Sequence, residues 1–184
     1  AFWTPRFRVA QGRRSEQDWI EETRAMVRGT VERHMLADVP VGSFLSGGVD
    51  SSAITAAMTQ VSSAPIKAFT VGFPGTSIDE TRSAARIAAH LGAEHIVLPL
   101  EPVAAGDLLP TVQAAFDEPC AATAAVPIWH LSRLAAQHVK VVLCGEGSDE
   151  IFAGVMVEAR PPPFRGKLVS AGETCILARD LRRF

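Results

Sequence analysis

Apolar residues in this chain fall into short continuous runs separated by stretches in which they return every three or four positions. Val41 to Leu45, Ile66 to Phe73, Glu94 to Leu100 and Lys140 to Cys144 are the runs, and their length and composition predict strands. Ser15 with Asp18 three residues later forms an approximate capping box, predicting a helix to about Met35. Ile54, Ala57, Met58 and Val61 share one face of a second helix, which Pro65 ends. Ser77-Ile78-Asp79-Glu80 reads as another capping box, with Asp79 and Glu80 capping a helix whose apolar face is Ala84, Ile87, Ala88 and Leu91. Gly92 stands where a left-handed C-terminal cap belongs. A further helix is expected from about Pro102 to Phe116. Pro127 suits the first turn of one carrying Ile128, Leu131, Leu134 and Ala135 inward. Strands alternating with helices predict an α/β fold, a parallel sheet with helices on both faces, and a ligand off the carboxyl ends of the strands.

The pattern divides the chain. Residues 1–14 are polar and irregular and read as a linker, 15–154 form one folded unit, and 155–184 are an atypical tail. That tail holds Pro161-Pro162-Pro163 and scattered arginines, with no convincing period. The 184 residues, 47% of them hydrophobic, suffice for one domain with a real core. A formal net charge of −2 gives no electrostatic reason to expect nucleic acid or a membrane surface. No apolar run approaches the ~20 residues of a membrane helix. The opening Ala1-Phe2-Trp3 is neither an initiator methionine nor a signal peptide, so the expectation is a chain entered part-way and a cytoplasmic location.

Cys120, Cys144 and Cys175 support neither a disulfide framework nor a zinc site, and Cys144 is expected to be a small buried strand residue. His34, His90, His95, His130 and His138 do not cluster, and ordinary surface or core roles are expected of them.

The chemistry concentrates in Ser46-Gly47-Gly48-Val49-Asp50-Ser51-Ser52, between the first strand and the second helix. Glycines let the backbone approach an anion closely, and the helix N-terminus presents free N–H groups and the positive end of its dipole. The three serines add donors, and Asp50 can hold the divalent cation that travels with a nucleotide. The run lacks the Gly-Lys-Ser/Thr ending of the common P-loop, so a pyrophosphate is the group it suits.

Ser46 to Ser52 resembles the SGGxDSS loop of the N-type ATP pyrophosphatases, and the longer run from Ala37 resembles the glutamine-hydrolysing asparagine synthetases. Val141 to Phe152 is similar to that family's LSGEGSDELF block, and Phe116-Asp117-Glu118-Pro119 leading to Pro127 follows its pattern too. The likeness of these motifs covers roughly Phe2 to Gly154.

The resemblance implies a synthetase domain of Rossmann-like, adenine nucleotide alpha hydrolase-like fold that uses ATP and Mg²⁺. A carboxylate, aspartate in this family, attacks the α-phosphorus, pyrophosphate leaves, and ammonia displaces AMP from the acyl-adenylate. By resemblance, Asp50 and Asp149 are the magnesium ligands, and Glu146 orients the incoming amine or acid. Gly145 and Gly147 permit close approach to the nucleotide, whereas Glu150 is structural. Adenine lies along the backbone of Val71 and Gly72 with Leu45 nearby, and Thr123 is the substrate-side hydroxyl.

Departures from the family's pattern bear on the substrate. The stretch after Asp117-Glu118-Pro119 reads Cys120-Ala121-Ala122-Thr123-Ala124-Ala125, with a single hydroxyl where the family has several. Val155 stands where a tyrosine usually follows the second block, and Lys167 falls too early to match the family's downstream lysine. The glutaminase half that supplies ammonia is absent from the chain. Two alternatives therefore stand beside the asparagine-forming reading. One is a related amidotransferase or β-lactam synthetase-like enzyme acting on another carboxylate. The other is a truncated, non-catalytic nucleotide-binding fragment.

Overall fold

The computed structural model describes residues 12, 14–100, 105–116 and 124–152. Residues 1–11 and 13 of the expected linker and 153–184, which take in the expected tail, lie outside them, as do the Asp117-to-Thr123 segment and residues 101–104. Four strands form one parallel sheet: β1 (Val41–Phe44), β2 (Lys67–Gly72), β3 (Glu94–Pro99) and β4 (Val141–Leu143), in the order β3-β2-β1-β4. The helices are α1 (Glu16–His34), α2 (Val49–Val61), α3 (Thr81–Leu91), α4 (Ala105–Ala114), α5 (Ala125–Ala135) and α6 (Ser148–Phe152).

Strand alternation decides which helix covers which face. Ser43, Leu45, Ala68 and Leu143 share one side through the register Ser43–Ala68 and Ser43–Leu143. Against this side pack Ala57 and Met58 of α2, supported by Val31 of α1, together with Ala84 and Ala88 of α3. Phe44, Phe69, Val71 and Val142 face the other way, onto Leu131 and Ala135 of α5 and onto Val139. Helices on both faces explain why the strands read as near-continuous apolar runs rather than alternating ones. Gly42 makes room for that second layer: a Cβ there would lie 2.8 Å from the Phe69 ring and 2.9 Å from the Lys67 carbonyl.

Caps fix the helix ends. Ser15 Oγ accepts from the Asp18 N–H, and Asp18 accepts from the Ser15 N–H at 2.8 Å, the reciprocal box expected at α1. Gly92 closes α3 in the left-handed region at φ 68°. The box expected at Ser77–Glu80 does not form. Helix α3 starts at Thr81, and Glu80 precedes it with no side-chain cap bond. Asp79 Oδ1 instead accepts from the Phe73 N–H, the Thr81 N–H and the Thr81 hydroxyl, which ties the end of β2 to the start of α3. These bonds hold its carboxyl below the ordinary carboxylate range, the Thr81 hydroxyl contributing most.

Candidate functional site

A cavity of about 320 Å³ opens off the carboxyl ends of β1, β2 and β4. Its floor is the Ser46–Ser52 loop. Leu45, 1% exposed, is the last anchored residue before it, its N–H bonded to the Phe69 carbonyl at 2.9 Å. Gly47 then turns the chain at φ 87°, and a Cβ there would lie 2.9 Å from Ser83 Cβ and 3.0 Å from the Ala84 nitrogen. Only glycine accepts both the backbone angle and the close approach of α3.

The serines brace the turn. The Ser51 hydroxyl accepts from the Ser46 N–H at 3.2 Å and lies 3.0 Å from Ser46 Oγ, which in turn accepts from the Gly48 N–H at 3.2 Å. Ser52 donates back to the Gly48 carbonyl. No side chain caps the N-terminus of α2, so the amides of its first turn and the positive end of its dipole face the cavity end of the sheet. This arrangement suits a phosphate group.

The second block closes against the first. A Cβ on Gly145 would lie 2.7 Å from the Ser51 nitrogen and 2.8 Å from the Asp50 carbonyl carbon. The glycine is therefore demanded by contact between the two loops. Across this junction Asp50 and Asp149 both line the cavity. Burial pushes the Asp50 carboxyl above its ordinary range, and the charge of Asp149 pushes it further the same way. Two like charges held together at a phosphate-shaped turn suit a hard cation completed by phosphate oxygens and water. Among the described residues no three His, Cys, Asp or Glu side chains gather to hold a metal without such help. Magnesium fits this donor set through Asp50 and Asp149.

Opposite the acidic junction the wall is apolar: Phe44, Phe69, Val71, Phe73, Ile78 and Ile128. An apolar, largely aromatic and branched lining of this kind suits an aromatic base. Glu80 interrupts it, its carboxyl raised by burial. Of the residues singled out from the sequence, Leu45, Ser46, Gly48, Asp50, Ser51, Val71, Gly145, Glu146 and Asp149 line the cavity together. Gly47, Ser52, Gly72 and Gly147 shape the backbone behind it: Gly72 lies against Thr81, and Gly147 turns at φ 89°. Thr123 lies outside the described residues.

Cys144 corrects an expectation. Strand β4 ends at Leu143, one residue earlier than the apolar run suggests, and Cys144 is exposed on the cavity wall. Sequence reasoning missed Phe73, Ile78 and Ile128 as wall residues. Ile78, 65% exposed in an otherwise polar loop, carried the one usable signal.

Residues 22–183 match the family model described as asparagine synthase. That span continues past Gly154, where the motif likeness ends. The chain is 39% identical over 146 residues to asparagine synthetase [glutamine-hydrolyzing] 1 of Bacillus subtilis, covering 79% of this chain and 23% of that protein. It is 31% identical over 157 residues to asparagine synthetase B [glutamine-hydrolyzing] of Escherichia coli, covering 77% of this chain and 28% of that protein. The chain thus spans about a quarter of the length of the curated relatives it matches. In fold it is similar to the NMN synthetase of Francisella tularensis, with a TM-score of 0.50 at 17% identity over 73% of this chain and 57% of the other. The family match covers nearly the whole chain, and the two loop blocks that carry it meet at one cavity: the chain belongs to the asparagine synthase family.

Proposed function

We propose that the chain is the ATP-using part of an amide-forming ligase, activating a carboxylate, aspartate in the first instance, as an acyl-adenylate that ammonia converts to the amide. The observation that carries this reading is the junction of the Ser46–Ser52 loop with Gly145-Glu146-Gly147-Ser148-Asp149 around one cavity with an apolar far wall.

The pyrophosphate of ATP lies along the first-turn amides of α2 and the Ser46 and Ser51 hydroxyls. The base lies against Val71 and Phe73. The α-phosphorus is then left between the two loops. Asp50 and Asp149 would hold magnesium, which would supply charge neutralisation for the departing pyrophosphate. The carboxylate oxygen of the acid forms a bond to the α-phosphorus as the bond to pyrophosphate breaks. Ammonia then adds to the acyl carbon, AMP leaves, and a proton is lost from nitrogen. Glu146 is exposed on the cavity wall, and its proposed role is to orient the incoming amine or acid. Ammonia comes from a glutaminase unit, in keeping with the names of the relatives.

Exchange of labelled pyrophosphate into ATP tests the adenylation step. The expected result is exchange that requires both magnesium and aspartate. Exchange driven by a different carboxylate moves the reading to a sister amidotransferase, and magnesium-dependent ATP binding without exchange from any acid overturns the ligase reading for this chain.

A further inference from the structure

A polar chain runs across the sheet from half-buried His95 through buried Thr70 to Leu45 at the edge of the cavity. His95 sits on the outer strand β3 in register with Ala68, on the sheet face that carries Thr70 two residues further along β2. Its Nε2 lies 2.8 Å from Thr70 Oγ1, and Thr70 Oγ1 donates to the Leu45 carbonyl at 2.6 Å. Thr70 is 1% exposed and Leu45 1%, so neither partner has water as a substitute.

Proton accounting fixes the direction. The hydroxyl has one proton, and a carbonyl can only accept, so that proton belongs to Leu45. Towards His95 the Thr70 oxygen must accept, and Nε2 must carry the hydrogen. Burial holds the imidazole below its ordinary pKa, hence neutral at physiological pH. The Leu45 carbonyl is the last acceptor before Ser46, whose N–H meets the Ser51 hydroxyl at 3.2 Å. Its direction therefore sets how the loop leaves the sheet.

We propose that His95 is a positioning residue of the nucleotide site, its Nε2–H holding the Thr70 hydroxyl so that the Leu45 carbonyl aims the Ser46–Ser52 loop at the phosphates. The inference rests on the nucleotide-site reading above, since it assigns a role only to that loop.

Three variants of the chain test it: His95→Phe and Thr70→Val, which remove the relay, and His95→Gln, whose side-chain N–H donates as Nε2 does. Binding of a non-hydrolysable ATP analogue with Mg²⁺, measured by calorimetry, is expected to weaken about tenfold in the first two and to recover to within about threefold of wild type in His95→Gln. Wild-type affinity in folded His95→Phe and Thr70→Val, or no rescue by glutamine, overturns the proposal.

Two readouts need no nucleotide. Nitrogen NMR of the wild type is expected to show the Nε2–H tautomer of His95, and an Nδ1–H tautomer overturns the relay. Hydrogen exchange at the Ser46 amide is expected to be about tenfold faster in Thr70→Val than in wild type, and equal exchange overturns it. If wild type binds no nucleotide, the site reading fails on that observation alone, while tautomer and exchange still decide the relay.

Discussion

Asp50 shows how a carboxylate proposed to hold a cation conflicts with the stability of the ligand-free chain. Its carboxyl is raised by burial and then by Asp149, so folding favours the protonated form. The resulting destabilisation is absent below the unfolded value of 3.8, where the group is protonated folded or unfolded, and sets in as pH rises above it. Asp50→Asn is therefore expected to melt at or above the wild-type temperature at pH 7, to lose that advantage as pH falls to about 4, and to bind magnesium nucleotide far more weakly. Calorimetry at the two pH values checks the sign. Gly145 makes the opposite case. Gly145→Ala places a methyl 2.7 Å from the Ser51 nitrogen, so the loops must separate. A loss of about 1–3 kcal/mol in denaturant unfolding and of nucleotide binding is expected. The glycine was legible in the sequence as a site residue, but its physical reason was not: no spacing reveals that the second loop rests on the first. Cys144 was misread because the apolar run Val141 to Cys144 does not say at which residue the strand ends.

At the scale of elements, α2 is held to β1 by a second hydroxyl relay. Thr55 Oγ1 donates to the Ser51 carbonyl at 2.8 Å, so Ser43 must donate to Thr55 across 2.9 Å, and both residues are fully buried. Thr55→Val strands the Ser43 hydroxyl and is expected to cost about 1–3 kcal/mol. Ser43→Ala with Thr55→Val removes both groups and should cost less than the sum of the single changes, which a double-mutant cycle in denaturant measures. The helices themselves were legible because their signals are local: the Ser15–Asp18 box, Gly92, and the spacing of Ala84 and Ala88 all lie within a few residues. The start of α3 was not, because Asp79 spends its acceptors on Phe73 and Thr81, and the Phe73 contact spans the loop from the end of β2. Asp79→Ala is expected to loosen the Phe73–Glu80 side of the cavity, read as faster hydrogen exchange at the Phe73 and Thr81 amides with β1 unaffected.

At the scale of the whole molecule, alternating strands and helices foretold a parallel sheet covered on both faces, and the four strands pair in that way. The strand order places β1 and β4 side by side, which is what brings two blocks some hundred residues apart to one cavity. Periodicity carries no information about that neighbourhood. The resemblance of the two blocks to one family did. The apolar wall of Phe73, Ile78 and Ile128 joins the β2–α3 connection to α5, a meeting of two segments that periodicity does not announce.

In the proposed function this cavity holds ATP through the Ser46–Ser52 loop with magnesium on Asp50. Calorimetric titration of a non-hydrolysable ATP analogue into the chain, with and without Mg²⁺ and beside Asp50→Ala, tests it most directly. One site is expected, with affinity that depends on magnesium and is lost in Asp50→Ala while the variant remains folded. A folded wild type that binds no nucleotide, or an Asp50→Ala chain that binds as wild type does, would contradict it.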